Sequence, residues 1–348
     1  MRRTSLALAG AGALLVVTTP LVWADHERNC FGEHPTIVGT IEPETIEGTS
    51  GRDVIVALGG GDQIRGGDGA DLICASAGND GVGGGAGADR ISGGRGQDTL
   101  GGGPGHDYVH GGTGVNQLSG GPGDDRLLDG AYMAGGPGED YMRGGEYLYP
   151  HLSPMIDYRS STNGIVADLE TGVVEGQGTD TFADVGTIFG SAYDDTMRGW
   201  EEGDLGNGHE IYLYGLGGND RITGIAVDPF YGVGVASGGN GSDHIEWRGG
   251  EVDGGSGPDR LYGGSLSGGP GPDRLFGTGR LFGEEGNDYI NSQDGSVTAT
   301  VDGGSNLDTC LTDPGESVVN CESVDGEQAR EARGLALHGT GAIVFPMQ

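Results

Sequence analysis

Aspartate recurs in this 348-residue chain at intervals that chance does not sustain. From Gly48 to Leu128 the sequence divides into nine consecutive nonapeptides. Their sixth residues are Asp53, Asp62, Asp71, Asp80, Asp89, Asp98, Asp107, Asn116 and Asp125. The fourth residue is Gly in all nine. The eighth is aliphatic in all nine: Ile55, Ile64, Ile73, Val82, Ile91, Leu100, Val109, Leu118 and Leu127. Carboxylates at fixed intervals, set among carbonyls that glycine turns direct inward, make a donor set for a hard cation such as Ca²⁺. Beyond Leu128 the acid returns at Asp140, Asp195, Asp220, Asp243, Asp259, Asp273, Asp288 and Asp308. From Asp243 onward the gaps are 16, 14, 15 and 20 residues. With the imperfect GSAYDDTMR around Asp195, 17 windows fit the pattern and 16 carry Asp at the sixth position.

The rest of the unit must position these carboxylates. Its last three residues suit a three-residue strand whose middle side chain points inward and whose neighbours point outward. Disorder would not fix an aliphatic residue at every eighth position. The pattern is GGxGxDxUx, with U apolar, and is clearest in GGDGADLIC, GGAGADRIS and GGPGDDRLL. It resembles the calcium-binding nonapeptide of the RTX, or haemolysin-type, repeat family. The resemblance implies an all-β fold, a right-handed parallel β-roll (β-solenoid) with calcium-binding turns. Two nonapeptides would make one coil, and several Ca²⁺ ions would sit between successive turns. Alternate repeats then share an edge: Asp53, Asp71, Asp89, Asp107 and Asp125 on one, Asp62, Asp80, Asp98 and Asn116 on the other. Asn116 offers a carbonyl but no charge, so a weaker site is expected there. Later pieces such as GGSLS and GTGRLF read as acid-free half-coils, so calcium is expected along one edge only in that part.

Composition points the same way. There are 78 Gly and few aromatics, which makes a conventional two-layer core hard to stabilise. The formal charge is -34, and every basic residue is Arg. Such acidity excludes nucleic acid and anionic membranes as natural partners and favours bound cations. Arg2 and Arg3, the apolar run Leu6 to Val22 and the Val22-Trp23-Ala24 end read as a signal peptide over 1–24. Ser5 stands where a twin-arginine signal carries an apolar residue, so the general secretory route is expected. Cleavage would leave 16 Arg against 52 acids, a charge of -36, and no membrane span. The expected location is secreted, with cell-surface association left open, and the expected state is monomeric. Cys30, Cys74, Cys310 and Cys321 are an even set, as befits disulfides in an exported protein. Proximity suggests Cys30 with Cys74 and Cys310 with Cys321, although spacing does not choose among the three connectivities.

The expected organisation is a cap over 25–47, a regular roll over 48–143 and a β-rich spacer over 144–189. A second, irregular roll over 190–322 and a tail over 323–348 follow. Strands are read at Thr36–Ile41, Ile156–Tyr158 and Gly164–Leu169, and a helical turn or two at Glu327–Arg333. There is no HExxH and no GxSxG, and His106 and His110 fall within one repeat. Adjacent acids such as Asp124-Asp125, Asp194-Asp195 and Glu201-Glu202 would point to opposite faces of a strand, which makes them poor acid–base pairs. The reading is therefore a non-enzymatic secreted calcium-binding protein that folds on Ca²⁺. Two alternatives stand beside it. One is a calcium-rigidified adhesin or envelope matrix protein that contacts polysaccharide through Tyr147, Tyr149, Trp200 and Trp247, although these aromatics are more readily read as partly buried under loops. The other is a divergent polysaccharide-modifying enzyme, by fold analogy alone.

Overall fold

A computed structural model describes residues 29–145, 153–200, 211–225 and 234–325. The signal peptide, the helical turn at Glu327–Arg333, Tyr147, Tyr149, Glu201 and Glu202 lie outside them. The described residues contain strands and no helix. They form a parallel β-solenoid of about 14 turns.

Its geometry follows from the repeat. In the xUx triplet the middle side chain faces inward and its neighbours face outward, so one aliphatic residue per triplet enters the core. Successive turns pair in parallel with U opposite U. Ile55, Ile73, Ile91 and Val109 align in one ladder, and Ile64, Val82 and Leu100 in the other. These side chains are buried and join one continuous core that runs the length of the coil. Turns stack so closely that side chains are excluded at the bends. Gly87 has φ 137°, and a Cβ there would collide with the Gly69 carbonyl oxygen one turn earlier.

The first strand is shorter than its sequence suggests. It spans Ile37–Val38 and pairs with Val54–Val56. The Thr36 hydroxyl is used by the Val54 N–H (2.9 Å), and the Gly39 N–H donates to the Val56 carbonyl as the chain turns away. Residues 30–33 lie over the outside of the first turns. There Cys30, Val54, Val56 and Leu72 form a second, small apolar cluster.

Both ladders run on through residues 153–189. Met155–Asp157 pairs with Tyr132–Ala134 and with Thr187–Phe189, keeping the second ladder parallel. The first ladder takes in an antiparallel excursion. Val166–Asp168, Val173–Glu175 and Thr179–Ala183 fold back on one another between Tyr141–Gly144 and Thr196–Arg198. The strand Val166–Asp168 is thus the core of the expected Gly164–Leu169 stretch. The longest strand, His244–Ser256, carries rungs of both ladders. Trp247 lies inside it, fully buried against Gly199 and Gly224. It is therefore not the exposed sugar-contacting residue of the adhesin reading, and Trp200 is partly buried against the same core. The disulfides are Cys30–Cys74 and Cys310–Cys321, with Cα separations of 5.7 and 6.0 Å. Among the described residues no helix is long and apolar enough to cross a membrane.

Candidate metal centres

The residue just before each strand stands at the corner of a turn, and there the aspartates stack. On the first edge the column runs Asp53, Asp71, Asp89, Asp107, Asp125 and Asp140, then resumes at Asp195, Asp220, Asp243, Asp259, Asp273, Asp288 and Asp308. On the second edge it is Asp62, Asp80, Asp98 and Asn116. All are buried. The second-edge column stops after Asn116. Every later acid at this position up to Asp308 belongs to the first edge, as the irregular spacing anticipates.

A backbone bond fixes each carboxylate. Except at Asp53, Oδ1 of each aspartate accepts the N–H of the residue before the strand one turn earlier, which is an aspartate in most cases, Glu44 for Asp62 and Ile165 for Asp195. The distance is 2.8 Å from Asp53 N to Asp71, 2.7 Å from Asp107 N to Asp125 and 2.7 Å from Asp220 N to Asp243. Asp98 N uses the Asn116 side-chain oxygen in the same way, at 3.0 Å. The other oxygen is left over. Oδ2 is buried and has no hydrogen-bond partner in Asp62, Asp71, Asp80, Asp89, Asp98, Asp107, Asp125, Asp140, Asp220, Asp243, Asp259, Asp273, Asp288 and Asp308. Except in Asp62 and Asp80, whose repeats begin with Ala57 and Ala75, these oxygens face the first glycine of their own repeat. A Cβ on Gly254 would lie 2.6 Å from both Asp259 Oδ2 and the Gly268 carbonyl oxygen of the next turn. Glycine at this position therefore keeps open a cradle walled by carboxylate and carbonyl oxygens.

Two predicted ligands differ from this pattern. Asp53 Oδ2 accepts the Thr49 N–H (2.7 Å) and hydroxyl (2.8 Å), and its Oδ1 accepts the Thr36 hydroxyl (3.2 Å). Asp195 is satisfied by the Ser191 N–H and hydroxyl and by the Ile165 N–H. In both windows a hydroxyl residue replaces the second Gly of the repeat, and that hydroxyl occupies the carboxylate. A third acid in the column, Asp180, was not foreseen. Its Oδ1 takes the Asp140 N–H (3.0 Å) and its Oδ2 the Tyr158 hydroxyl (2.8 Å). The signal was present in EGQGTDTFA, which keeps Gly178 at the fourth position, Asp180 at the sixth and apolar Phe182 at the eighth. The 40-residue gap after Asp140 hid it, because the excursion returns the chain to the same ladder late. At the far end Glu322 takes the Asp308 N–H at 2.7 Å and closes the column.

Electrostatics follow from this geometry. Burial pushes Asp80, Asp89, Asp107, Asp125, Asp243 and Asp288 up to about 6. It pushes Asp140, Asp259 and Asp273 up to about 7 and Asp220 to about 8. The N–H bond from the preceding turn pulls each of them down, and neighbouring carboxylates add to the rise at most of them. Asp53 goes the other way: burial raises it, but the Thr49 and Thr36 hydrogen bonds outweigh burial and hold it below the usual carboxylate range. A buried, unpaired carboxylate costs several kcal/mol. A column of them needs protons or cations. Rigidly placed oxygen donors with no nitrogen or sulfur among them suit a hard ion of the calcium type. The residues present therefore fit Ca²⁺.

No curated protein matches the chain. The family model described as "RTX calcium-binding nonapeptide repeat (4 copies)" matches residues 47–82, 84–109, 101–128, 212–224, 251–265 and 267–298. These segments contain most of the aspartates whose Oδ2 is unpaired. The chain is accordingly built on RTX calcium-binding nonapeptide repeats, present in several copies along its length.

Proposed function

We propose that this protein is a secreted, non-enzymatic calcium binder whose solenoid folds when Ca²⁺ reaches it outside the cell. The observation that carries the reading is the column of fourteen buried, unpartnered Oδ2 atoms. Three runs hold them: Asp62 to Asp98 on the second edge, and Asp71 to Asp140 and Asp220 to Asp308 on the first. Asp53, Asn116 and Asp195 stand at the margins of these runs, and their side chains serve the backbone. Bound Ca²⁺ supplies the positive charge that lets adjacent turns close on one another. The chain's own residues place the donors, each turn holding the carboxylate of the next. Cys30–Cys74 and Cys310–Cys321 near the two ends fit an oxidising, extracellular setting.

The test is far-UV circular dichroism of residues 25–348, titrated with Ca²⁺ after chelation, with Mg²⁺ as control. A cooperative gain of β signal with Ca²⁺ alone is expected. A full β signal in chelator at neutral pH would refute folding on calcium.

One feature favours a second role on the same scaffold. The outward face of the first ladder aligns Arg90, Tyr108, Arg126 and Tyr141 turn by turn, and Arg126 lies 4.7 Å over the Tyr141 ring. A basic, aromatic stripe on so acidic a chain suits an anionic polysaccharide. Co-sedimentation with such a polymer in Ca²⁺, lost in Arg126→Ala/Tyr141→Ala, is the expected result. Equal sedimentation of both proteins would remove this role and leave the calcium reading intact.

A further inference from the structure

We propose that Asp294, Asp313 and Glu316 form an additional calcium site, away from the sixth-position aspartates of the repeats, that ties together the last turns of the solenoid. The three residues come from two consecutive bends. Asp294 follows the strand Tyr289–Asn291, and Asp313 and Glu316 follow the strand Thr309–Leu311, its direct neighbour. One ligand oxygen from each lies within 4.8 Å of the others.

Glu316 shows that this is more than a cluster of surface acids. It is 6% exposed, and its Oε1 is buried without a partner. Its Oε2 is fixed by the Ser292 hydroxyl at 2.5 Å and the Asp313 N–H at 3.0 Å. One oxygen is thus held by the protein and the other left open, the same division of labour as in the repeat aspartates. The other two carboxylates are also anchored. Asp313 Oδ2 accepts the N–H groups of Asp294 (2.8 Å) and Gly295 (2.6 Å), and Asp294 Oδ1 accepts the Ser296 N–H (2.7 Å). Thr312, beside Asp313, is 3% exposed, and its hydroxyl oxygen has no partner.

Position in the fold gives independent support. Glu316 immediately precedes the strand Ser317–Val319, just as Asp98 immediately precedes Thr99–Gly101. Glu316 therefore stands in the second-edge column, which carries no acid at this position from Ala131 to Ala299. The acid reappears there only at the last turns. Three carboxylates and neighbouring hydroxyls are an all-oxygen donor set drawn from two irregular bends, which suits Ca²⁺ better than the strict octahedron of Mg²⁺.

The test is crystallographic, on the full secreted chain grown in Ca²⁺ and soaked in Tb³⁺. An anomalous peak between Asp294, Asp313 and Glu316 is expected. Glu316→Gln should remove that peak alone and lower the calcium bound in equilibrium dialysis by one ion per chain. Asp294→Asn, at an exposed position, should weaken the same site without disturbing the core. Peaks in the repeat turns with none here would overturn this inference and leave the repeat reading standing. A peak here with none in the repeats would do the reverse, and no peak at either place would overturn both.

Discussion

At Asp107 the two carboxylate oxygens have separate tasks. Oδ1 takes the Asp89 N–H at 2.8 Å, and Oδ2 is buried without a partner. Asp107→Asn keeps the first task and abolishes the second. The calcium concentration at the folding midpoint should rise roughly tenfold, equivalent to ~1.4 kcal/mol. In chelator the same variant should be more stable than the parent, because a buried unpaired charge has been removed. Asp195→Asn makes the contrast. Its carboxylate already bonds Ser191 and Ile165, so the calcium midpoint should stay put while stability in chelator falls by ~1–2 kcal/mol. Calcium titrations of both variants by circular dichroism, with the residual β signal in chelator, check the pair. If Asp195→Asn shifts the midpoint as far as Asp107→Asn, hydroxyl closure does not set that carboxylate apart. This distinction was only partly legible beforehand. The sixth-position rule found the acids, but whether a carboxylate stays open depends on whether a hydroxyl reaches it, and Ser76, at the second position of its repeat, turns to the Cys74 carbonyl and leaves Asp80 open. Thr49 and Ser191 close what Gly leaves open, and Tyr158 closes Asp180 from outside any repeat.

The strands derive their stability from the inward column. Ile91 is fully buried between Ile73 and Val109, and each turn offers little else to bury. Ile91→Ala should cost ~2–5 kcal/mol in calcium, read as a lowered denaturation midpoint. A loss under ~1 kcal/mol would mean that the ions, rather than the apolar column, hold the turns together. At this scale the sequence was most informative where the repeat is strict. Nine aliphatic eighth positions announced the alternation of ladders, and that alternation is what pairs Ile73 with Ile91. It was least informative where chain order and spatial order part company. The excursion through Val166–Ala183 places a later strand beside an earlier one, and no local pattern reports that. Trp247, exposed only in the adhesin reading, is buried for a related reason: the facing Gly199 and Gly224, brought beside it from earlier turns, leave room for its indole.

Across the whole molecule the buried acids titrate as a collective store of protons. Ten of them have folded-state values of about 6 to 8, above the ordinary 3.8, so in chelator the folded chain binds more protons than the unfolded one. That contribution to stability is fully present below about pH 4 and is lost as the pH rises through about 8. In chelator the β signal should therefore be stronger at pH 5 than at pH 8.5. With Ca²⁺ the dependence inverts, because protons compete for the same oxygens and affinity should fall below pH 6. Circular dichroism against pH, with and without chelator, tests both signs; a flat profile in chelator would mean that the carboxylates are not buried as described. The two-edged coil also has a bearing on how such a chain can change its length. Because two nonapeptides complete one circuit, loss of residues 84–101 would remove one storey and leave everything downstream on its own side. Loss of residues 84–92 alone would send every later aspartate across to the opposite side. The heritable unit of growth and shrinkage in the regular block is thus eighteen residues, twice the period that the sequence displays.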